Sequence, residues 1–402
     1  MLAAADIQDS PDLARMRRDR YARIQVQLAA HDLDGLLLLG GSNVEYAAGA
    51  RAVTADAGRA AMFRTVAYVA RDDPFPHVFA AYPDGLPPEL PADHIHPAVY
   101  PELGIRPVGE IFGGERALGI DEYTAAMRRD LHGAGLVDLV DATPIMGAAR
   151  ICKTVDELRC VWMAQHINEQ AMLDVQAVLR PGIRQTDLSG LFLRRIFELG
   201  ATANAVDPIW QVMPARIADG PWTVHGDVAF PTATTDAILR DGDVVWVDTG
   251  ITFCGYASDF GRTWLVSAPP GQPRPNSAQL DQFARWRAVV EAVLDTVKPG
   301  ATGGDLTRAA RSVLPADART PWLEHFYLVH GVGVDSAEMP LIGTDLGSAF
   351  DESIVLAPGM VLVLEPVIWD DGASGYRSEE IVAVTDSGWI PLSDHPYWPF
   401  GS

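Results

Sequence analysis

Two acidic residues occupy matching positions in a repeated sequence pattern. Gly242 begins a mostly apolar segment that ends at Asp248, and Gly359 begins a similar segment that ends at Glu365. In both segments the acid stands six residues after the glycine. A carboxylate at the end of an apolar strand is costly to bury unless it is paired or binds a cation. Two such acids in equivalent positions predict a shared cation, most simply a metal ion.

The repeat extends beyond these two segments. Pro-Gly pairs at 181–182 and 299–300 each precede an Asp-Leu pair, at 187–188 and 305–306, with the same spacing. The two Pro-Gly pairs lie 118 residues apart, and the two glycine-to-acid segments lie 117 residues apart. This agreement indicates an internal duplication within residues 151–402. Each half is expected to contain a helix, a Pro-Gly turn, a second helix and then strands.

Further metal-ligand types follow each repeated acid. After Asp248 a glycine-containing loop leads to a returning strand with Asp259, which predicts a hairpin with an acid on each arm. Glu365 is followed in the same way by glycines and by the acids at 379–380, and His330 lies between the hairpins in a glycine-rich segment. Four carboxylates and one imidazole suit Mn²⁺, Fe²⁺, Co²⁺ or Zn²⁺. A pair of ions about 3.5–4 Å apart would generate a hydroxide between them.

Each of these residues has a simpler interpretation when it is taken singly. An acid at a strand end, such as Asp248, is usually a solvated terminus. His330 alone is more often a core or loop histidine, and His225 is more often structural or solvated. Arg262 and Arg377 could simply pair with neighbouring acids. The duplication favours metal ligation because it places the acids in equivalent positions.

Composition limits the possible classes of protein. A chain of 402 residues is long for one hydrophobic core, so two domains are expected. An apolar content of 48% and a mean hydropathy of +0.06 are typical of a globular protein. The net charge of −22, from 53 acidic and 31 basic residues, argues against nucleic acid or an anionic membrane as a partner.

The cysteines and the N-terminal segment bear on location. Cys152, Cys160 and Cys254 show no paired spacing, which favours a reducing compartment over a disulfide framework. The N-terminal segment lacks the apolar core of a signal peptide, and no window approaches the roughly 18 apolar residues of a membrane span. We therefore expect a cytoplasmic protein that does not cross a membrane.

Residues 1–148 are predicted to form a first domain of the α/β class. A helical stripe over 11–32 is followed by an apolar strand at 35–40, which is bounded by glycines. Further strands are predicted at 65–70 and 77–81. A helix followed by a fully apolar strand is typical of an α/β layer. This domain shows no obvious catalytic cluster in its sequence.

Residues 149–402 are predicted to form a second domain of the α+β class. A capping box at 154–157 begins a helix that the first Pro-Gly pair ends. Thr186 is expected to cap the next helix, and further helices are predicted over 277–298 and from about 305. The acid-bearing strands follow the helix pairs. The expected architecture is curved antiparallel sheet with helices on one face.

Together these motifs resemble the pita-bread metallopeptidase superfamily, which includes methionine aminopeptidase, prolidase, aminopeptidase P and creatinase. The superfamily pattern has an Asp, a second Asp eleven residues later, His-Gly-x-Gly, Glu-Pro and Arg-x-Glu-Asp. This chain has the two Asp residues at that spacing, His-Gly-Val-Gly at 330–333, Glu-Pro at 365–366 and Arg-Ser-Glu-Glu at 377–380. The resemblance implies that two divalent metal ions are bound by five residues: Asp248, Asp259, His330, Glu365 and Glu379.

The resemblance also covers the first domain. The segment Asn-Val-Glu-Tyr-Ala-Ala-Gly at 43–49 is similar to the creatinase-type N-terminal domain. This similarity favours the two-domain branch of the superfamily over methionine aminopeptidase. It implies an internally duplicated pita-bread domain after an α/β domain, and a homodimer in which one subunit's N-terminal domain helps to close its partner's site.

Particular roles follow from the resemblance. It implies that Glu365 is a general base and that a histidine upstream of the first ligand binds the substrate. His225 is the nearby candidate for this catalytic and substrate-binding histidine, although it stands 23 residues before Asp248 rather than the family's 17 or so. Tyr256 and Arg377 are further candidate substrate-binding residues. The family's proline peptidases also have a histidine, a proton donor or transition-state stabiliser, where this chain has Ala337.

Three functions are compatible with these residues. The first is a dinuclear metal-dependent hydrolase resembling Xaa-Pro aminopeptidase or prolidase, in which a metal-bridging hydroxide attacks an amide carbonyl. The second is a repurposed relative acting on a small molecule, similar to creatinase, ectoine hydrolase or a dimethylsulfoniopropionate lyase. The lyase's Asp-x-Asp motif is absent, since the chain has Asp-Thr-Gly at 248–250. The third, an inactive binding module, is disfavoured because all five ligands are present.

Overall fold

The computed structural model of the protein contains two compact units. One unit is formed by Pro11–Arg150 and the other by Met1–Ser10 with Ile151–Ser402. The domain boundary after residue 148 stays a prediction, and the first ten residues group with the second unit. The structure describes residues 4–50, 64–100, 105, 108, 117–133, 135, 138–216, 236–269, 272–322, 326–395 and 400.

The first unit contains a six-stranded mixed sheet with the strand order β4-β3-β2-β1-β5-β6. Its strands are β1 (Gly35–Leu38), β2 (Val66–Ala70), β3 (His77–Ala80), β4 (Ile95–Pro97), β5 (Ala117–Ile120) and β6 (Asp138–Asp141). Its helices are α1 (Leu13–Ala30), α2 (Gly41–Ala48), α3 (Ala125–Gly133) and α4 (Thr143–Arg150), with short 3₁₀ helices at Pro83–Gly85 and Ala92–His94.

Local sequence explains the first elements of this unit. Asp12 caps α1 by accepting a hydrogen bond from the Arg15 backbone N–H at 2.9 Å. The apolar stripe of α1 buries Ile24 and Leu28 completely. Strand β1 is buried along its whole length because it pairs with β2 on one side and with β5 on the other. The predicted α/β class of the N-terminal region is confirmed.

The second unit contains two larger antiparallel sheets with helices packed against them. Its helices are α5 (Val155–Val178), α6 (Gln185–Glu198), α7 (Ser277–Leu294), α8 (Gly303–Ser312) and α9 (Ser348–Ser353), and Ala4–Ile7 is a 3₁₀ helix. Its strands are β7 (Ala203–Val212), β8 (Val244–Phe253), β9 (Tyr256–Ala257), β10 (Phe260–Leu265), β11 (Val329–Gly331), β12 (Glu338–Ile342), β13 (Val361–Leu364), β14 (Val367–Asp370), β15 (Ser374–Arg377), β16 (Glu380–Val384) and β17 (Trp389–Pro391). The sheets have the orders β10-β8-β7, with β9 on β8, and β12-β11-β13-β16-β17, and β14 pairs with β15.

The two halves of the sequence repeat form equivalent backbone hydrogen bonds. The Gly182 N–H donates to the Leu239 carbonyl at 2.8 Å, and the Gly300 N–H donates to the Leu356 carbonyl at 2.9 Å. Both glycines have positive φ, of 87° and 85°, which a residue with a side chain rarely adopts. In both halves the strand that leads to the acid pairs antiparallel with a later strand, β8 with β10 and β13 with β16. The duplicated α+β architecture predicted from the spacing is therefore present.

Two predicted helix ends differ from the observed ones. Arg184, not Thr186, is the N-cap of α6, because Arg184 forms a β-bridge with Ile238 that holds its backbone extended. Helix α7 ends at Leu294 rather than at residue 298. Beyond Leu294 the backbone N–H groups of Thr296 and Val297 bond three residues back, which tightens the last turn.

Strand periodicity determines which way the first acid points. Val245 and Val247 of β8 belong to the apolar core that includes residues of α5 and α6. Trp246 points to the opposite face and joins the core that includes residues of α7 and α8. Because side chains alternate along a strand, Asp248 lies on the face of Trp246.

No helix in the described part of the chain is long and apolar enough to cross a bilayer.

Candidate metal centre

The first hairpin brings two acids together. Asp248 lies in β8 opposite Gly261 of β10, and Asp259 precedes β10 on the returning arm. The Asp259 backbone N–H donates to Gln165 Oε1 at 3.2 Å, which fixes the start of that arm against α5. Asp248, Asp259 and Glu379 each offer one carboxylate oxygen within 4.8 Å of the other two.

The second half of the repeat adds an acid and the histidine. His330 of β11 pairs with Val363 of β13, and Glu365 directly follows β13. His330 Nε2 lies 3.2 Å from Asp259 Oδ2 and 3.5 Å from Glu365 Oε1. The structure thus brings together all five residues that the family resemblance assigns as metal ligands.

Arg377 lies inside this group of acids. Its guanidinium donates to Asp248 Oδ2 at 3.0 Å and, through Nε, to Glu365 Oε2 at 3.0 Å. It also forms an ion pair with Glu379 at 2.5 Å. The arginine is only 3% exposed. One buried cation therefore contacts three of the four carboxylates and holds them close together.

The acids still outnumber the cations around them. Burial raises the pKa of Glu365 to about 7, although Arg377 and His330 oppose that rise. Burial, followed by repulsion from Asp248 and Glu365, raises the pKa of Asp259 well above its ordinary value. Burial and repulsion from Asp259 have the same effect on the pKa of Glu379. Raised acid pKa values at one point indicate a site that is short of positive charge.

The remaining hydrogen bonds fit a divalent cation at this point. His330 Nδ1 lies 2.9 Å from the Gly331 carbonyl, which only accepts, so Nδ1 carries the proton and the lone pair of Nε2 faces the acids. Glu365 Oε1 is buried and accepts no hydrogen bond from the described residues. Oxygen-rich donors with one imidazole suit the divalent ions from Mn²⁺ to Zn²⁺.

A helix behind the first hairpin supports its two arms. Asn168 of α5 donates to the Thr249 carbonyl at 2.8 Å and to Ser258 Oγ at 3.0 Å, and its Oδ1 accepts from Thr249 Oγ1 at 2.9 Å. Thr249 directly follows Asp248 in the sequence, and Ser258 directly precedes Asp259. Sequence reasoning missed Asn168, which is fully buried in α5 together with the polar side chains of Gln165 and Glu169.

A cavity of about 360 Å³ opens onto the acids. Its other walls include Val206, Ile209, Phe326 and Tyr327, and the carboxylate of Asp207 also borders it. The register of β7 shifts between Val206 and Ile209, and such a bulge redirects the intervening side chains. Burial, followed by the nearby acids, raises the pKa of Tyr327, so its hydroxyl stays protonated and able to donate.

The residues predicted to bind substrate have different positions. The Tyr256 hydroxyl donates to Glu157 of α5 at 2.7 Å, and the side chain is buried there, so we do not propose it as a substrate-binding residue. Arg377 lines the cavity but is engaged with the acids. His225 lies outside the described residues. Ala337 lines the cavity, and its equivalence to the family's histidine stays a prediction.

Comparison with known protein families identifies this arrangement. The model of metallopeptidase family M24 matches residues 159–386, which is more than half of the chain. The chain belongs to metallopeptidase family M24. The M24 chain is 27% identical over 378 residues to the probable dipeptidase PepE of Mycobacterium bovis, covering 87% of this chain and 93% of that protein. It is 28% identical over 239 residues to the Xaa-Pro dipeptidase of Pyrococcus furiosus, covering 60% and 62%.

Solved structures show the same fold for this M24 protein. The prolidase from Pyrococcus horikoshii superposes with a TM-score of 0.75 at 20% identity, covering 95% of this chain and 99% of that one. Dipeptidase PepE from Mycobacterium ulcerans gives a TM-score of 0.71 at 23% identity, covering 96% and 98%. The predicted two-domain pita-bread fold and a metal-dependent hydrolase of the peptidase type are confirmed. The metal-binding residues and the number and identity of the ions stay predictions.

Proposed function

We propose that this M24 protein hydrolyses Xaa-Pro dipeptides with divalent metal ions held by five residues: Asp248, Asp259, His330, Glu365 and Glu379. The observation that carries the proposal is the buried, cation-deficient group of acids at the end of a cavity. Two relatives, a probable dipeptidase and an Xaa-Pro dipeptidase, support the choice of substrate class. We further propose two ions per chain, a homodimer and a cytoplasmic location.

The chain's own residues have distinct tasks in this reaction. Divalent ions, when bound, would activate a water molecule and polarise the scissile carbonyl. Glu365 is the candidate base by the family resemblance, and its buried carboxylate lines the cavity where a substrate would lie. It would accept a proton from the attacking water and deliver it to the leaving amine. Arg377 holds the carboxylates of Glu365 and Glu379 in position.

The cavity suits a small substrate with one apolar ring. Its volume of about 360 Å³ lies at the small end of the range for ligand pockets, roughly 300–1,000 Å³. Val206, Ile209 and Phe326 offer apolar contact to a prolyl ring. The Asp207 carboxylate would pair with the α-ammonium group of a dipeptide. The Tyr327 hydroxyl would donate to the carbonyl oxygen as negative charge develops on it.

Proline release from Ala-Pro and Met-Pro would test this proposal. The purified chain is stripped of metal, reloaded separately with Mn²⁺, Co²⁺ or Zn²⁺, and compared with Asp259→Asn, which keeps the shape of the side chain. Asp317→Asn, at an exposed position, is the matched control. We expect metal-dependent release by the wild type and the control, with a loss of at least 100-fold in Asp259→Asn. Equal rates in all three proteins would refute the shared metal site.

Ala337 favours a second candidate function. A methyl group lies at the cavity wall where the family's proline peptidases have a histidine, so the wall has lost a proton donor. A relative that hydrolyses a non-peptide amide, as creatinase does, would not need that histidine. Screening Ala337→His beside the wild type separates the two functions. A weakened peptidase gains Xaa-Pro activity from the histidine, whereas a repurposed enzyme gains none and cleaves small amides instead.

A further inference from the structure

The unit formed by residues 11–150 contains a second group of metal-binding side chains. His77 is the first residue of β3, and His94 ends the 3₁₀ helix just before β4. The parallel register pairs Val78 with Ile95, so the two preceding histidines lie side by side. Their rings stack with centroids 4.2 Å apart and planes inclined by 13°. Asp73 reaches both rings from the turn between β2 and β3.

We propose that Asp73, His77 and His94 bind a divalent ion of the Zn²⁺ class. His77 Nε2 lies 3.4 Å from Asp73 Oδ2, and His94 Nε2 lies 3.1 Å from Asp73 Oδ1. Ligands of one tetrahedral ion, at metal–ligand distances near 2.0–2.1 Å, are separated by roughly 3.3 Å. These two separations, and the spacing of all three donor groups within 4.8 Å of one another, are short enough for one ion. Because the two rings stack, one of them must turn for both Nε2 lone pairs to point at that ion.

The outer nitrogens of both rings are already engaged. His94 Nδ1 lies 3.2 Å from Asp93 Oδ1, to which it donates when His94 binds a metal through Nε2. His77 Nδ1 lies 2.9 Å from His96 Nε2, to which it donates when His77 binds a metal through Nε2. Histidine ligands in metal sites commonly have such a partner on the second nitrogen, because it fixes the tautomer and the ring orientation.

The carboxylate is also held in place before any ion binds. Asp73 Oδ1 accepts a hydrogen bond from the Phe75 backbone N–H at 3.0 Å. The Asp73 carbonyl accepts from the Tyr21 hydroxyl at 3.0 Å and from Gln25 Nε2 at 3.3 Å, and both donors lie on α1. The site is therefore anchored to a helix as well as to two strands. An ion there would tie β4, at the edge of the sheet, to its neighbour β3.

The choice of ion follows from the donors and their exposure. Two imidazoles and one carboxylate favour Zn²⁺, Ni²⁺ or Cu²⁺ over Mn²⁺, whereas the carboxylate-rich catalytic group accepts Mn²⁺ readily. The side chains of Asp73, His77 and His94 are 23%, 16% and 15% exposed, so the ion's fourth position is open to water. The two groups of ligands should thus differ in metal preference.

Zn²⁺ binding to the full-length chain would test the proposal. Elemental analysis after equilibrium dialysis is compared for the wild type, His77→Gln and His94→Gln, with the exposed His132→Gln as matched control. We expect each cluster variant to bind one equivalent fewer than the wild type and the control. The Asp259→Asn variant should keep this equivalent and still show a rise in Tm with Zn²⁺. Equal Zn²⁺ content in all the histidine variants would overturn the proposal.

A second variant keeps the test decisive if a histidine substitution disturbs folding. Asp73→Asn preserves the size of the side chain but removes the anionic ligand. In the Asp259→Asn background, Co²⁺ should give the intense visible bands of a low-coordinate site, and Asp73→Asn should remove them. A Co²⁺ spectrum unchanged by Asp73→Asn would show that the ion binds elsewhere in the chain.

Discussion

Replacement of Gly261 by alanine should damage the metal centre while sparing the fold. Gly261 faces Asp248 across the β8–β10 ladder. The Gly261 carbonyl also accepts a hydrogen bond from the Glu379 backbone N–H at 3.0 Å. A Cβ at residue 261 would collide with the carboxylate of Glu379 and come within 3.0 Å of its Cγ. Carbon atoms need about 3.5–4.0 Å. The end of the Glu379 side chain must therefore move by roughly 1 Å.

A displacement of that size is too large for a metal ligand. Ligand distances in metal sites hold to within about 0.2 Å, so the moved carboxylate would leave the ion. We expect metal affinity to fall roughly 10- to 100-fold, as when supporting residues of metal sites are replaced. The cost to the metal-free fold should stay within about 1–3 kcal/mol, the usual range for overpacking.

Calorimetric titration of the metal-stripped protein with Mn²⁺ measures this effect. Gly190→Ala is the matched control, because its Cβ meets no atom within 4 Å and the residue is exposed in α6. That change should leave Mn²⁺ binding unaltered and stabilise the fold by about 0.5–1 kcal/mol. Wild-type Mn²⁺ affinity in Gly261→Ala would refute the placement of Glu379 among the ligands.

Three other changes have expected outcomes. Lys153→Met should lower the free energy of unfolding by about 1.5–3 kcal/mol in denaturant melts, because it removes the buried ammonium group that donates to Glu338 at 2.6 Å. Folding without metal raises the pKa of Glu365 from 4.5 to about 7. Its contribution to the free energy of unfolding is therefore fully present below pH 4.5 and is lost as pH rises through 7. The loss should be roughly 3 kcal/mol in unfolding measurements on the metal-free protein across this range. Tyr327→Phe should lower kcat about 10- to 100-fold with little change in KM, because it removes one donor to the developing charge.

Each of these predictions has its own control. Lys298→Met replaces an exposed lysine and should change stability by less than about 0.5 kcal/mol. Saturating Mn²⁺ should reverse the pH trend, since the ions favour ionised carboxylates; an unchanged trend would count against ligation by Glu365. Tyr123→Phe, at an exposed tyrosine, should leave kcat unaltered. If Tyr327→Phe behaves in the same way, the hydroxyl does not take part in the reaction.

The acids and the duplication were predictable from the sequence because both depend on local spacing. Asp248 and Glu365 each end an apolar strand that begins six residues earlier at a glycine, and a strand's length and alternation are set by its own residues. The helix start at Thr154 likewise follows from a capping side chain three residues away from its partner, whereas α8 begins at Gly303 rather than near residue 305. The N-cap of α6 was placed two residues too late, and the end of α7 was placed four residues too late.

Contacts between distant segments were decided by the tertiary structure. Tyr256 was expected to meet substrate, but packing of β9 against α5 points its hydroxyl at Glu157, 99 residues earlier. Asn168 supports both arms of the first hairpin from α5, through hydrogen bonds to residues 81 and 90 positions later in the chain. Arg377 contacts acids from both halves of the repeat, which no spacing along the chain could show.

The sequence by itself determined the family's motifs, the duplicated helix and strand order, and the residue types of the metal centre. Only the tertiary structure decided that Gly261 makes room for Glu379, and that His77 and His94 stack beside Asp73. The reason is physical. Periodicity and capping act over a few neighbouring residues, whereas these contacts depend on strand registers and helix packing that many residues of the whole chain set together.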